Sequence, residues 1–126
     1  MRPLLFLALL AAGCDLGDSS ERYTVAFVDL SGAEVARAEV SFDRPAVGER
    51  TEGTYRALSG QRVTSSEVVR ATGLAGGEVE VSLDPGIADS GYAIVGPFSA
   101  GVSTGEWVQE TSFGQQRTGT FRAMRQ

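Results

Sequence analysis

"VARAEVSFD", residues 35–43, decides the fold. Ala36, Ala38, Val40 and Phe42 alternate with Arg37, Glu39, Ser41 and Asp43. Apolar and polar residues therefore repeat every two positions. In a strand successive side chains point to opposite faces, so this run buries one face and wets the other. A helix would need an apolar stripe with a period near 3.6.

The same period recurs on both sides. In "YTVAFVDL", Tyr23, Val25 and Phe27 share a face. In "EVEVSL", Val79, Val81 and Leu83 alternate with Glu78, Glu80 and Ser82. Turn signals separate the runs at Ser31-Gly32, Ser59-Gly60, Gly76-Gly77, Pro85-Gly86 and Ser90-Gly91. The pattern predicts about eight strands, near 23–30, 34–43, 53–58, 61–70, 77–83, 91–98, 104–111 and 117–124. Val63 to Thr72 is the least regular stretch and is compatible with a helical turn. Hairpin-length connections favour an all-β up-and-down barrel, with a two-sheet sandwich as the alternative.

An internal echo supports a repeated unit. "GTYRAL" at 53–58 and "GTFRAM" at 119–124 match position by position, and "GEWVQE" at 105–110 shares the glycine-x-aromatic opening. Alternation puts Tyr55, Trp107 and Phe121 on one face, and Thr54, Arg56, Thr120 and Arg122 on the other. Glu106, Val108 and Glu110 are expected on the wet face opposite Trp107. A strand glycine leaves room for a bend or a bulky neighbour, and the aromatic two residues later is expected to pack across it. These three aromatics are either plain core or the lining of a cavity for a small apolar ligand. The strand count and the closing Gly-Thr-Phe strand resemble the small lipocalin-like barrels of bacterial lipoproteins.

The amino terminus carries a different signal. Arg2 gives a positive head, Leu4 to Ala12 are apolar without a break, and Gly13 and Cys14 follow. A run of this length is too short to cross a bilayer as a helix, which takes about 20 residues. A positive head, an apolar run and a small-residue exit form a secretory signal. Leu10-Ala11-Ala12-Gly13-Cys14 resembles the lipobox of bacterial lipoproteins. That resemblance implies cleavage before Cys14, a diacylglycerol on its thiol and acylation of the new amino terminus. It divides the chain into a signal at 1–13, a lipidated cysteine and polar tether at 14–22, and one β-domain at 23–126. The implied location is the bacterial cell envelope, lipid-anchored, with the domain facing the periplasm or the exterior.

Composition narrows the function. The net charge is −5 at pH 7, and becomes −6 once Arg2 leaves with the signal. An acidic surface repels nucleic acid. The chain has no histidine, no lysine and one cysteine. It therefore lacks the side chain that titrates near neutrality and the amine of Schiff-base chemistry. With Cys14 lipidated, no disulfide can form within the domain.

Apparent catalytic motifs are weak. "GVSTG" at 101–105 has the spacing of a nucleophile elbow, but that motif needs a strand–turn–helix setting and a histidine base. Glu78 and Glu80 read as the wet side of a strand, and Asp84 and Asp89 as part of a Pro-Gly turn with too few oxygen ligands for calcium. The sequence predicts no catalytic residue, metal or cofactor. It points to a non-enzymatic binding or structural module that docks an envelope protein or a small apolar ligand. An envelope hydrolase using acidic residues is the alternative.

Overall fold

Valines, alanines and aromatics at every second position give these segments an apolar face that must be covered, and with no helix-period segment to do so the sheet closes on itself. The computed structural model describes residues 20–86 and 91–126. Its strands are β1 Glu21–Asp29, β2 Glu34–Phe42, β3 Arg50–Gly60, β4 Val68–Gly73, β5 Val79–Ser82, β6 Tyr92–Gly96, β7 Val102–Thr111 and β8 Gly114–Arg125. Each pairs antiparallel with the next, and β8 pairs with β1 from Tyr23 opposite Arg125 to Asp29 opposite Gly119. The sheet is thus a closed up-and-down barrel, not the two-sheet sandwich. Every strand has a neighbour on each side, although Tyr55–Gly60 of β3 and Gly114–Thr118 of β8 extend past one of theirs.

Antiparallel order fixes two ends. The near end holds the start of β1, the end of β8 and the β2–β3, β4–β5 and β6–β7 connections. The far end holds the other four connections. At the far end Asp29 Oδ1 accepts hydrogen bonds from the Ser31 amide (2.9 Å) and the Ala33 amide (3.1 Å), and Gly32 turns the chain at φ 92°. Only glycine adopts that backbone without steric cost.

The interior is filled. Tyr23, Val25 and Phe27 of β1, Ala36, Ala38, Val40 and Phe42 of β2, and Val79 and Val81 of β5 are all buried. An eight-strand barrel encloses a space that side chains can just fill. Large rings fit because small residues face them. Gly53 is the cross-strand partner of Phe42, Gly105 of Phe121 and Gly119 of Trp107. A methyl carbon on Gly105 would lie 2.6 Å from Phe121 Cε1 and 2.1 Å from the Val95 carbonyl oxygen. On Gly96 it would lie 2.9 Å from Phe121 Cζ. Gly96 and Gly105 make room for the Phe121 ring of β8, whereas Gly53 and Gly119 make room for the backbone of β2 and β1; none of them makes room for the aromatic two residues further along.

Three expectations need correction. Residues 61–67 form no strand, and β4 starts at Val68. Serine and threonine hydroxyls there bond the local backbone, in competition with a ladder: Thr64 Oγ1 accepts from the Ser66 amide (3.0 Å), and Ser66 Oγ donates to the Val68 carbonyl (2.8 Å). Val63 and Thr64 turn inward and cap the far end. No helical turn forms over 63–72; the tight turn is at Ala75–Gly77.

Second, Val108 is buried, not wet. The register slips between Trp107 and Val108, which pair with Gly119 and Arg117 and leave Thr118 over. Such a bulge sharpens the local twist. Beyond it the β7–β8 arm wraps the outer wall, tied by Gln115 Nε2 to Glu110 (2.7 Å) and to Glu80 of β5 (2.9 Å). Val108 and its partner Ala93 are covered beneath. Third, β6 ends at Gly96, so Phe98 lies in a loop and not at the end of a strand.

Two substitutions probe this packing. Gly105→Ala cannot be absorbed without moving backbone, and should cost about 1–3 kcal/mol, the usual range for overpacking. Trp107→Ala should cost about 3–5 kcal/mol as a core cavity. Denaturant midpoints measure both, and Trp107 emission should be blue-shifted when folded and red-shifted on unfolding.

Candidate functional site

The three aromatics singled out by the repeat all point into the barrel and are at most 3% exposed. The structure does not gather them at one place. Trp107 packs edge-on against Phe27 (5.2 Å between ring centroids) and against Tyr92 (5.9 Å). Phe121 stacks on Phe98 at 5.2 Å. Tyr55 makes no ring contact among the described residues and faces the inturned segment at Val63. The Tyr55 hydroxyl and Trp107 Nε1 are buried and have no hydrogen-bond partner among the described residues. Burial raises the Tyr55 phenol above its ordinary value of 10.0, against a smaller lowering from the Val63 backbone amide. The opposite faces are as read from the sequence, with Arg56 and Arg122 outside.

The near-end mouth holds the densest polar network, and sequence reasoning missed it. The β6–β7 loop sends one side chain inward. Phe98 is fully buried while Pro97, Ser99 and Ala100 beside it are exposed. Its ring meets Tyr23 at 5.2 Å and Phe42 at 5.4 Å, both edge-on, as well as Phe121. Two donors converge on its carbonyl: the Tyr23 hydroxyl at 2.5 Å and the Arg44 guanidinium. Arg44 also grips Glu21 through Nε and Nη2, each at 2.9 Å, and reaches the Pro97 carbonyl at 3.3 Å. The Tyr23 hydroxyl, with one hydrogen to give, lies 2.6 Å from Glu21 Oε1 as well. Only "GPF" at 96–98, a ring just past two helix- and strand-breaking residues, hints at such a plug in the sequence.

Electrostatics follow the geometry. Burial alone would lift Glu21, but hydrogen bonds from Arg44 and Tyr23, with the charges of Arg44 and Arg125, outweigh it and hold the carboxyl below 4.5. Burial and the adjacent Glu21 carboxylate push the Tyr23 phenol up to about 12.

The other sequence candidates are placed as follows. Ser103 is buried in β7, where its Oγ accepts from the Ser99 amide at 2.8 Å. It sits on a strand between strands, not on a strand–turn–helix elbow. Asp84 is buried, takes the Thr64 hydroxyl and accepts from the Tyr92 amide at 3.1 Å. Asp89 lies outside the described residues, as does Cys14. Glu78 and Glu80 are on the outer side, and Glu80 is engaged by Gln115. Among the described residues no group of three or more acidic, cysteine or histidine side chains is positioned to hold a metal ion. Comparison with known proteins gives no match to a family model, a curated protein or a solved structure.

The mouth network contributes to the pH response of stability on both limbs. Glu21 titrates below its ordinary value, so its contribution is complete above pH 4.5 and is lost as pH falls through the folded value beneath it. Tyr23 titrates above its ordinary value of 10.0, so its contribution is complete below pH 10 and is lost as pH rises toward 12. Denaturant midpoints measured against pH should fall on both limbs. Tyr23→Phe should reduce the alkaline fall.

Proposed function

We propose that this chain is a non-enzymatic, lipid-anchored module of the bacterial envelope that docks a protein partner through the far end of its barrel. The observation that supports this reading is the polarity of the barrel. The chain runs into β1 at the near end, at Glu21, seven residues after Cys14. Those seven steps reach at most about 25 Å at roughly 3.5 Å each. An anchor on Cys14 would therefore hold the near end close to the bilayer. The far end would face away from it, toward the periplasm or the exterior.

Two apolar side chains project from turns at that far end. Leu30 on the β1–β2 turn is 68% exposed, and Phe113 at the tip of the β7–β8 arm is 100% exposed. Aromatic side chains at exposed tips are favoured anchors in protein interfaces. The filled interior turns the reading away from a hollow cavity at rest and toward the surface. Net negative charge and the lack of histidine and lysine bear against nucleic acid and against the common catalytic groups.

Anchoring and docking are tested together. The mature protein should exceed its polypeptide mass by acyl chains, and Cys14→Ser should move it from the detergent phase to the aqueous phase. A photo-crosslinking residue at Phe113 of the anchored protein should capture one defined protein. The same residue at Val47, which is 68% exposed at the near end, should not. An unmodified mature mass, or equal capture from both ends, contradicts the reading.

A further inference from the structure

We propose that the near-end mouth is a binding site for a small amphiphile with a ring-sized apolar body and a carboxylate head, and that Phe98 occupies it as a built-in stand-in. This goes beyond the docking role and does not depend on it.

The mouth has the parts of a ligand site. Tyr23, Phe42 and Phe121 form an apolar box around one ring. At its rim the Tyr23 hydroxyl and the Arg44 guanidinium converge on one carbonyl oxygen. Both the ring and the oxygen belong to a single loop residue, not to the strands that build the box. Phe98 also has the one positive φ among the described non-glycine residues, 46°. That region is disfavoured for a bulky side chain, so release of the loop relieves local strain.

Release is local. The strand ladder ends at Gly96 and resumes at Val102, so the loop can swing without breaking a β6–β7 pair. Four loop contacts outside the mouth would yield or adjust: Ser103 Oγ with the Ser99 amide (2.8 Å), hydroxyl (3.2 Å) and carbonyl (3.4 Å), and the Arg125 amide to the Gly101 carbonyl at 3.1 Å.

Swinging out would leave the box empty and would take the Phe98 carbonyl from Arg44, while the Tyr23 hydroxyl turns to Glu21 Oε1, 2.6 Å away. The emptied box and the lost guanidinium acceptor keep the unliganded mouth shut. A ligand reverses this only if it fills the box and also supplies an acceptor. A carboxylate suits the guanidinium, which presents several donors in one plane. Glu21 already holds Arg44 Nε and one hydrogen of Nη2, so the head takes the remaining end of the guanidinium, where Nη2 now reaches the Phe98 carbonyl and Nη1 the Pro97 carbonyl. Apolar cavities of about 150 Å³ are known to admit benzene-sized guests. In phenylalanine the ring and the carbonyl carbon are three bonds apart. The same spacing occurs in 3-phenylpropionate, which is the natural probe.

The wild-type protein is titrated with 3-phenylpropionate and followed by NMR. The expected result is a saturable, one-site shift of the Tyr23, Phe42 and Phe121 ring resonances. Amide exchange at Ser99, Ala100 and Gly101 should quicken at least tenfold while the β1–β8 ladder stays unchanged. No saturable shift, or a uniform rise in exchange, overturns the proposal. Phe98→Ala should bind the probe at least tenfold more tightly than wild type, and tenfold more tightly than it binds 3-phenylpropanol. Adding Arg44→Gln should erase that preference for the carboxylate. Leu83→Ala, a core cavity at the far end, is the control. Equal uptake there would mean that any hole serves, and would also overturn the proposal. If Phe98→Ala does not fold, the wild-type titration decides alone.

Discussion

The ring of Phe121 lies where side chains on Gly96 and Gly105 would otherwise be, and the rest of the barrel depends on that fit. Eight strands enclose a narrow interior. A ring that size can enter only if the facing strand has no Cβ. Gly53 and Gly119 serve a different closeness: a Cβ there would strike the backbone of β2 at Ser41 and of β1 at Val28. With the rings seated, Phe27 and Tyr92 close around Trp107, and Phe98 closes over Phe121. Packing of this kind serves where no disulfide can form within the domain, and it fixes the register, because a slip by one residue would drive a ring into backbone.

Much of this was legible in the sequence because period-two burial is a local signal. Ala36 to Phe42 needed only their own alternation to declare a buried face, and about eight strands with hairpin-length turns favoured a barrel while leaving a two-sheet sandwich open. The remainder depends on residues far apart in the chain. Which aromatic sits over Gly105 is a matter of cross-strand register, and register is not written in either strand alone. Val108 changes environment because of one unpaired residue, Thr118, on the opposite strand. Residues 61–67 are polar and lack clean alternation, and Thr64 finds a partner in Asp84, 20 residues away, so the segment folds inward. Phe98 looked like the end of a strand; its place as a plug is set by Tyr23 and Arg44, 75 and 54 residues away.

The two ends of the barrel are built differently, and this frames the functional reading. The near end is drawn together by the Arg44, Glu21 and Tyr23 network and shut by one aromatic ring. The far end is capped by Val63 and Thr64 and carries bare apolar tips at Leu30 and Phe113. Exposed apolar side chains occur at both ends, Val47 at the near end among them, and the fully exposed ring of Phe113 is what sets the far end apart; with the anchor proposed at Cys14 this suits a module that reaches outward. The middle is occupied by core, so any small-molecule role must pass through the near-end mouth and not through a standing cavity.

The fit of Phe121 over its glycines can be read directly in solution. Two-dimensional NMR of the folded domain should show nuclear Overhauser contacts from the Phe121 ring protons to the Hα protons of Gly96 and Gly105. Ring current should move those glycine Hα signals well away from their unfolded positions. Glycine Hα signals at unfolded positions, with no contact to the Phe121 ring, would contradict the filled, register-locked barrel on which the account rests.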